Sequence, residues 1–213
     1  FHDCGGIRFT GVWPTEPVEE QFRMPFLLAG GVFGPGEMIQ DVPYDPYQCF
    51  ALEEASYAVR LFTHGWDVYS VTKRTMWHQY RQNNTLKRKT NYDAAHEART
   101  MDMTRRAYMR FDHMTRHGRS THPRDTADLD MFGLGEARTL AAYEDFSGVD
   151  FRNKQVSEYA LRARYIPNIS EVVKFSVACL DSASHAPPAM MSETERLLRI
   201  AMRERSIEQL SEE

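Results

Sequence analysis

Between Met24 and Tyr80 the hydrophobic pattern changes repeatedly, and this order limits the possible folds more than any other feature of the chain. Met24 to Phe33 is a continuous apolar stretch closed by Gly34-Pro35-Gly36. That is the pattern of a strand buried on both faces and then stopped. Asp41-Val-Pro-Tyr-Asp-Pro-Tyr47 follows, where two prolines and two aspartates predict a fixed loop. From Leu52 the period becomes helical. Leu52, Ser56, Val59 and Phe62 form one stripe, while Glu53, Tyr57 and Arg60 fall on a second face. His64-Gly65 supplies the stop. Asp67-Val-Tyr-Ser-Val71 and Thr75 to Tyr80 then read as extended runs, so the order is strand, loop, helix, strand, as in an α/β domain.

The flanking segments are plainer. Ile7-Arg8-Phe9 reads as a strand after the Cys4-Gly5-Gly6 turn. A long helix is predicted from about Tyr92 to Met114, and an exposed polar loop from Thr115 to Asp130. Short helices are expected over Arg138 to Phe146, Ser157 to Arg164 and Ser170 to Leu180, with Ser170 as an N-cap. After Pro187-Pro188 a capping box, Ser192-Glu-Thr-Glu195, opens a last helix to about Leu210. The expected units are therefore residues 1–82, a helix and loop region at 83–150, and a helical extension at 151–213.

Composition narrows the function classes. With 42% hydrophobic and 26% charged residues the chain has the make-up of a folded protein, not of a disordered one. Thirty acidic against 26 basic residues leave a net charge of −4, so no positive field draws the protein to nucleic acid. Lys87-Arg88-Lys89 reads as a solvated face. Cys4, Cys49 and Cys179 are an odd, widely spaced set, which argues for buried thiols in a reducing, cytoplasmic compartment. No run approaches the ~20 apolar residues of a membrane span, and no leader opens the chain. The chain lacks an initial methionine, as expected of a fragment, a processed product or part of a longer protein. The sequons at Asn83 and Asn168 carry no meaning in a reducing compartment.

Several residues admit two readings. Glu53 and Glu54 open a helix, where carboxylates gain from the N-terminal dipole in any case. Gly30-Gly31 either lets backbone approach a ligand or marks a bulge. Asp45 either meets hydroxyls of a ligand or bonds its own backbone as an Asx-turn. Trp66 and Trp77 either stack on a ligand face or fill the core. His78, taken alone, is a structural histidine in an aromatic strand. His113, His117 and His122 lack the spacing of a zinc site.

Five blocks in order resemble the polypeptide-type N-acetylglucosaminyltransferase family, whose members include a cytoplasmic enzyme that glycosylates hydroxyproline. They are Pro25-Phe-Leu-Leu-Ala-Gly-Gly31, Asp41 to Tyr47, Leu52-Glu-Glu-Ala-Ser56, Arg60-Leu-Phe-Thr-His-Gly-Trp-Asp67 and His78-Gln-Tyr80. A later run, Gly133-Leu-Gly-Glu-Ala-Arg-Thr-Leu-Ala-Ala-Tyr-Glu-Asp-Phe-Ser-Gly-Val-Asp150, is also similar to that family. The resemblance covers about residues 1–151. It implies the acceptor-side half of a GT-A type fold, with the helical region after it. It further implies transfer of N-acetylglucosamine from UDP-GlcNAc to a hydroxyl of a protein or glycan, with retention and a Mn²⁺ or Mg²⁺ ion. On that resemblance His78 is the metal ligand and Glu53 and Glu54 are the acidic pair. Glu53 is favoured because it shares a helical face with Tyr57 and Arg60, and Gly30, Gly31, Asp45 and Trp66 bind substrate. The family's N-terminal nucleotide-binding half, with its acidic metal motif, is not found before Pro25. The alternative expectation is therefore a catalytically incomplete module that assembles through its last helices.

Overall fold

The computed structural model describes residues 7, 11–14, 18–27, 31–48, 52–72, 97–116, 118–166 and 172–175. The chain divides into two compact units, Phe1–Val177 and Ala178–Glu213, and every described residue belongs to the first. The predicted extended run at 75–80, the helix at 192–210, His78, Gly30, Trp77 and the three cysteines lie outside the described residues.

The unit mixes helices with three two-stranded antiparallel sheets. Strand β1 (Gly11–Pro14) pairs with β6 (Val172–Phe175), and β2 (Arg23–Met24) pairs with β3 (Val68–Tyr69). Strand β4 (Val149–Asp150) pairs with β5 (Gln155–Val156). The helices are α1 (Gly36–Asp41), α2 (Glu53–Thr63), α3 (Glu97–Thr115), α4 (Pro123–Thr126), α5 (Leu129–Phe132), α6 (Leu140–Ser147) and α7 (Glu158–Leu161). No helix among the described residues is long and apolar enough to cross a membrane.

Helix α2 is the centre of the packing. Ala55 through Thr63 are all buried. Leu52, Ala55, Val59 and Phe62 pack into a cluster with Tyr108, Phe111, Tyr143 and Phe151. Tyr57, Ala58 and Leu61 pack into a second cluster with Leu27, Met38 and Val42, against which Trp66 rests. The predicted second face is therefore not solvated, since it too meets a layer of side chains. The helix ends as the sequence requires. Gly65 takes a φ of 97°, its N–H donates to Phe62 O at 3.0 Å, and the Trp66 N–H donates to Leu61 O at 2.9 Å. This is a Schellman cap, which needs a residue that tolerates positive φ.

Helix α6 closes the other side. Thr139 caps it by accepting from the Ala142 N–H at 3.1 Å. It then buries Tyr143, which meets Phe62 edge-on at 5.4 Å and stacks on Phe151 at 6.1 Å. The Tyr143 hydroxyl donates to the carbonyl of Pro25 at 2.7 Å.

Three sequence expectations are corrected. Over the described residues of the apolar stretch from Met24 to Phe33 no doubly buried strand is found: pairing there stops at Met24, and Val32 and Phe33 are exposed, Phe33 fully, while residues 28–30 lie outside the described residues. Pro25 has no N–H for a ladder, and its carbonyl turns to Tyr143 instead. The region Thr115 to Asp130 is largely exposed, as expected, but it is not all loop, because it forms α4 and the start of α5 and buries Asp125 completely. Asp125 accepts from Arg106 at 3.2 Å and from the Ser120 hydroxyl. Ser170 to Leu180 was expected to be helical, but Val172–Phe175 is strand β6, in keeping with its paired β-branched valines. Residues 176–180 lie outside the described residues.

Tyr143 gives a direct check of this packing. Tyr143→Phe leaves the buried Pro25 carbonyl without its donor and is expected to lower stability by about 1–3 kcal/mol. Urea unfolding should show a lower midpoint with an unchanged slope. Burial also pushes the Tyr143 phenol pKa well above its ordinary value. The folded state thus holds this proton more tightly than the unfolded chain. Its contribution is complete below about pH 10 and is lost as pH rises above that value, so wild-type stability should fall more steeply there than that of Tyr143→Phe.

Candidate functional site

The first turns of α2 and the loop before it meet in a shallow, closely packed recess lined by Tyr44, Asp45, Gln48, Glu53, Ser56, Tyr57 and Arg60. The loop is shaped by Asp45. Its Oδ1 accepts from the Tyr47 N–H at 3.0 Å and its carbonyl from the Gln48 N–H at 3.1 Å, an Asx-turn. Its Oδ2 accepts from Arg110 Nε on α3 at 2.7 Å, and both side chains are almost fully buried. The Arg110 guanidinium donates further to the Ala127 carbonyl at 2.7 Å and stacks 4.8 Å from the centre of the Tyr47 ring. The Tyr47 hydroxyl donates to Asp128 at 2.7 Å. Loop, α3 and the α4–α5 turn are thereby tied at one point.

Arg60 supplies a second buried guanidinium. It donates to the carbonyls of Gly133 and Met131 at 3.3 and 3.4 Å. Burial lowers its pKa, and the nearby Asp45 carboxylate acts in the opposite sense. The segment it holds approaches α2 so closely that a Cβ at Gly135 would stand 2.7 Å from the His64 backbone. The Gly135 N–H donates to Thr63 Oγ1 at 3.0 Å.

What marks the recess is its unanswered hydrogen-bonding capacity. Among the described residues, Gln48 Nε2 and Oε1, Glu53 Oε2, Ser56 Oγ and Tyr57 Oη are buried and have no hydrogen-bond partner. Each such atom costs on the order of 1–3 kcal/mol when left unmet. Buried polar groups are nearly always paired, so four side chains that break the rule together set this recess apart from the apolar clusters beside it. Tyr44 stands at the recess, 5.5 Å from Tyr57 between ring centres. Its pKa is pushed up to about 12 by burial first and then by Glu53, Glu54, Tyr57 and Asp45. Burial likewise raises that of Tyr57, with Arg60 opposing. Both phenols therefore remain hydrogen-bond donors at neutral pH.

The structure brings together Glu53 and Asp45 of the residues singled out in the sequence. Glu54 is half-buried in the same turn. Asp45 has both carboxylate oxygens engaged, by Tyr47 and by Arg110. Trp66 lies elsewhere, beside a small recess with Met24, Pro25, Phe62 and Tyr143. Gly31 is exposed. Gln48, Ser56 and Arg110 were missed. Ser56 had been counted with the apolar stripe, Gln48 follows the loop motif without a pattern of its own, and Arg110 is 65 residues from its partner. Among the described residues no three His, Cys, Asp or Glu side chains converge to hold a metal ion.

Two measurements test this geometry. Asp45→Ala leaves the Arg110 charge buried and unpaired and is expected to cost about 3–5 kcal/mol. The double variant Asp45→Leu, Arg110→Met should recover most of that loss in thermal unfolding. For Tyr44, ultraviolet titration should find ionisation near pH 12 in the wild type and a lower value in Glu53→Gln, which removes the neighbouring charge that raises it most. Because the folded pKa is raised, the associated stability is complete below pH 10 and lost as pH rises through 12.

The recess lies inside the part of the chain matched by a known family. The family model described as "Glycosyltransferase (GlcNAc)" matches residues 1–153. No curated protein and no solved structure matches the chain significantly. With its match spanning more than two-thirds of the 213 residues, the chain belongs to the GlcNAc glycosyltransferase family.

Proposed function

We propose that the chain carries the acceptor-side half of a GT-A type catalytic domain that moves N-acetylglucosamine from UDP-GlcNAc to a hydroxyl of a protein or glycan, with retention of configuration. The supporting observation is the convergence of unpaired Gln48, Glu53, Ser56 and Tyr57 on one recess. A sugar ring offers hydroxyls that donate and accept at once, which suits a carboxylate, two hydroxyls and an amide set side by side. Glu53 is the acceptor in this set. Its orphaned Oε2 takes a hydrogen bond from a sugar hydroxyl, and so fixes the reacting groups without attacking. In retaining transfer without a protein nucleophile, a donor phosphate oxygen takes the proton of the incoming hydroxyl.

A Mn²⁺ or Mg²⁺ ion belongs to the same proposal, with His78 as one ligand. When bound, it would offset charge on the leaving diphosphate. A cytoplasmic location and assembly through the last helices are parts of the reading that rest on the sequence. The rival is a catalytically incomplete module of the family.

The test is UDP-GlcNAc turnover by the full gene product with Mn²⁺. Loss of a hydrogen bond to an ionised group corresponds to about 10- to 100-fold, so Glu53→Gln should lower kcat/KM by that amount. Thermal stability should change little, because the Oε2 of Glu53 has no hydrogen-bond partner to lose. His78→Ala or chelation should abolish activity. Turnover unaffected by Glu53→Gln would remove the recess from the reaction, and no turnover with any UDP-sugar would favour the rival.

A further inference from the structure

We infer that the exposed face of the α3–α4 hairpin around Asp102 is a docking surface for an acidic segment of a partner polypeptide. The chain is acidic overall, with a net charge of −4, yet between Glu97 and Asp125 seven arginines stand against four carboxylates. Three of those arginines are each held by one carboxylate: Arg106 by Asp125 at 3.2 Å, Arg110 by Asp45 at 2.7 Å and Arg116 by Asp112 at 2.7 Å. Arg99, Arg105 and Arg124 are exposed. The half-exposed Asp102 lies 3.5 Å from Arg105 and 4.0 Å from Arg124. Both distances exceed the roughly 2.7–2.9 Å of a strong charge-assisted hydrogen bond. By contrast, the exposed Arg162–Glu158 pair on α7 closes to 2.6 Å. One carboxylate therefore holds two guanidiniums loosely.

The chemistry of the occupant follows from this arrangement. Exposed ion pairs contribute little, so Arg105 and Arg124 can exchange Asp102 for another carboxylate at small cost. A guanidinium fork takes a carboxylate through two parallel N–H donors, which a compact point charge does not offer. Arg99 and Met103 are four residues apart on α3 and share a stripe beside Asp102. Met103, 38% exposed, adds a small apolar contact to this ring of charge, and it is the large exposed apolar residue of α3 among the described residues. A membrane surface asks for a wider apolar face and a larger basic cluster. A nucleic acid asks for more phosphate contacts or for exposed rings to stack on, and Tyr108 and Phe111 of α3 are buried. A short peptide segment carrying two or three carboxylates matches what is present. The hairpin is braced from within, because Arg106 and Ser120 hold the buried Asp125 and Arg110 reaches the Ala127 carbonyl. Its outer side chains can rearrange while the face keeps its shape.

The test is fluorescence anisotropy of a dye-labelled peptide of alternating glutamate and alanine, titrated with the full gene product. Saturable binding is expected, weaker as salt is raised, and weaker by roughly 10-fold in the double variant Arg105→Ala, Arg124→Ala. Asp102→Asn removes the internal competitor for both guanidiniums and should tighten binding by roughly 2- to 5-fold. That opposite sign separates a docking surface from damage to the fold. Arg162→Ala, on another helix, should leave the affinity unchanged. The inference is overturned by absence of binding at low salt, by weaker binding in Asp102→Asn, or by an equal loss in Arg162→Ala and the double variant. It is overturned as well if a single-stranded oligonucleotide or phosphatidylserine vesicles bind more tightly than the peptide and lose that binding in the double variant.

Discussion

The ion pair between Asp45 and Arg110 joins residues 65 apart in sequence, and both side chains are almost completely withdrawn from water. Such a pair is poor evidence for net stability, since desolvation offsets much of the attraction. Its effect is to fix geometry. One oxygen of Asp45 closes the turn that delivers Gln48, and the other docks that turn on α3. Arg110 then reaches the Ala127 carbonyl, which brings the α4–α5 segment to the same place. Once the loop is set, the first turns of α2 become the floor of a recess and not an open helix surface.

Arg60 does for the other end of the recess what Arg110 does for the loop. Both guanidiniums are buried, and both spend donors on backbone carbonyls of the segment between α4 and α6. Arginine suits this work because its planar fork reaches several acceptors and stays charged through neutral pH. With Asp45 near both, the interior of the site carries charge that a neutral hydrocarbon core would not tolerate. The result is a small polar chamber beside two ordinary apolar clusters.

Local signals in the sequence revealed α2, its glycine stop, the loop at residues 42–47, and the helices α3, α6 and α7, because each depends on neighbours within a few residues. They also exposed Glu53 through its position at a helix start. Pro25 defeated the apolar pattern around it, since one missing N–H outweighed the hydrophobic run. The polar composition between Thr115 and Asp130 concealed a buried carboxylate, whose burial depends on Arg106 from another helix. Gln48 could not be distinguished from a surface residue for a related reason: its isolation from water is set by the tertiary docking of the loop, and no periodicity records it. Ser56 was legible as buried, on the stripe with Leu52, Val59 and Phe62, but not as a hydroxyl without a partner. The family match extends to residue 153, but the chemistry assigned to its residues rests on geometry that periodicity alone does not supply.

The central claim is that the recess over the start of α2 receives the transferred sugar. The most direct measurement is the side-chain amide resonance of Gln48 in isotope-labelled full gene product, followed by NMR as UDP-GlcNAc is added with Mg²⁺, which does not broaden the signal. The account predicts a saturable shift of that resonance, with the backbone amides of Glu53 to Tyr57 moving at the same ligand concentration and UDP alone leaving the Gln48 side chain nearly still. Shifts confined to the apolar recess around Pro25 and Trp66, or an unmoved Gln48 amide at saturation, would contradict it.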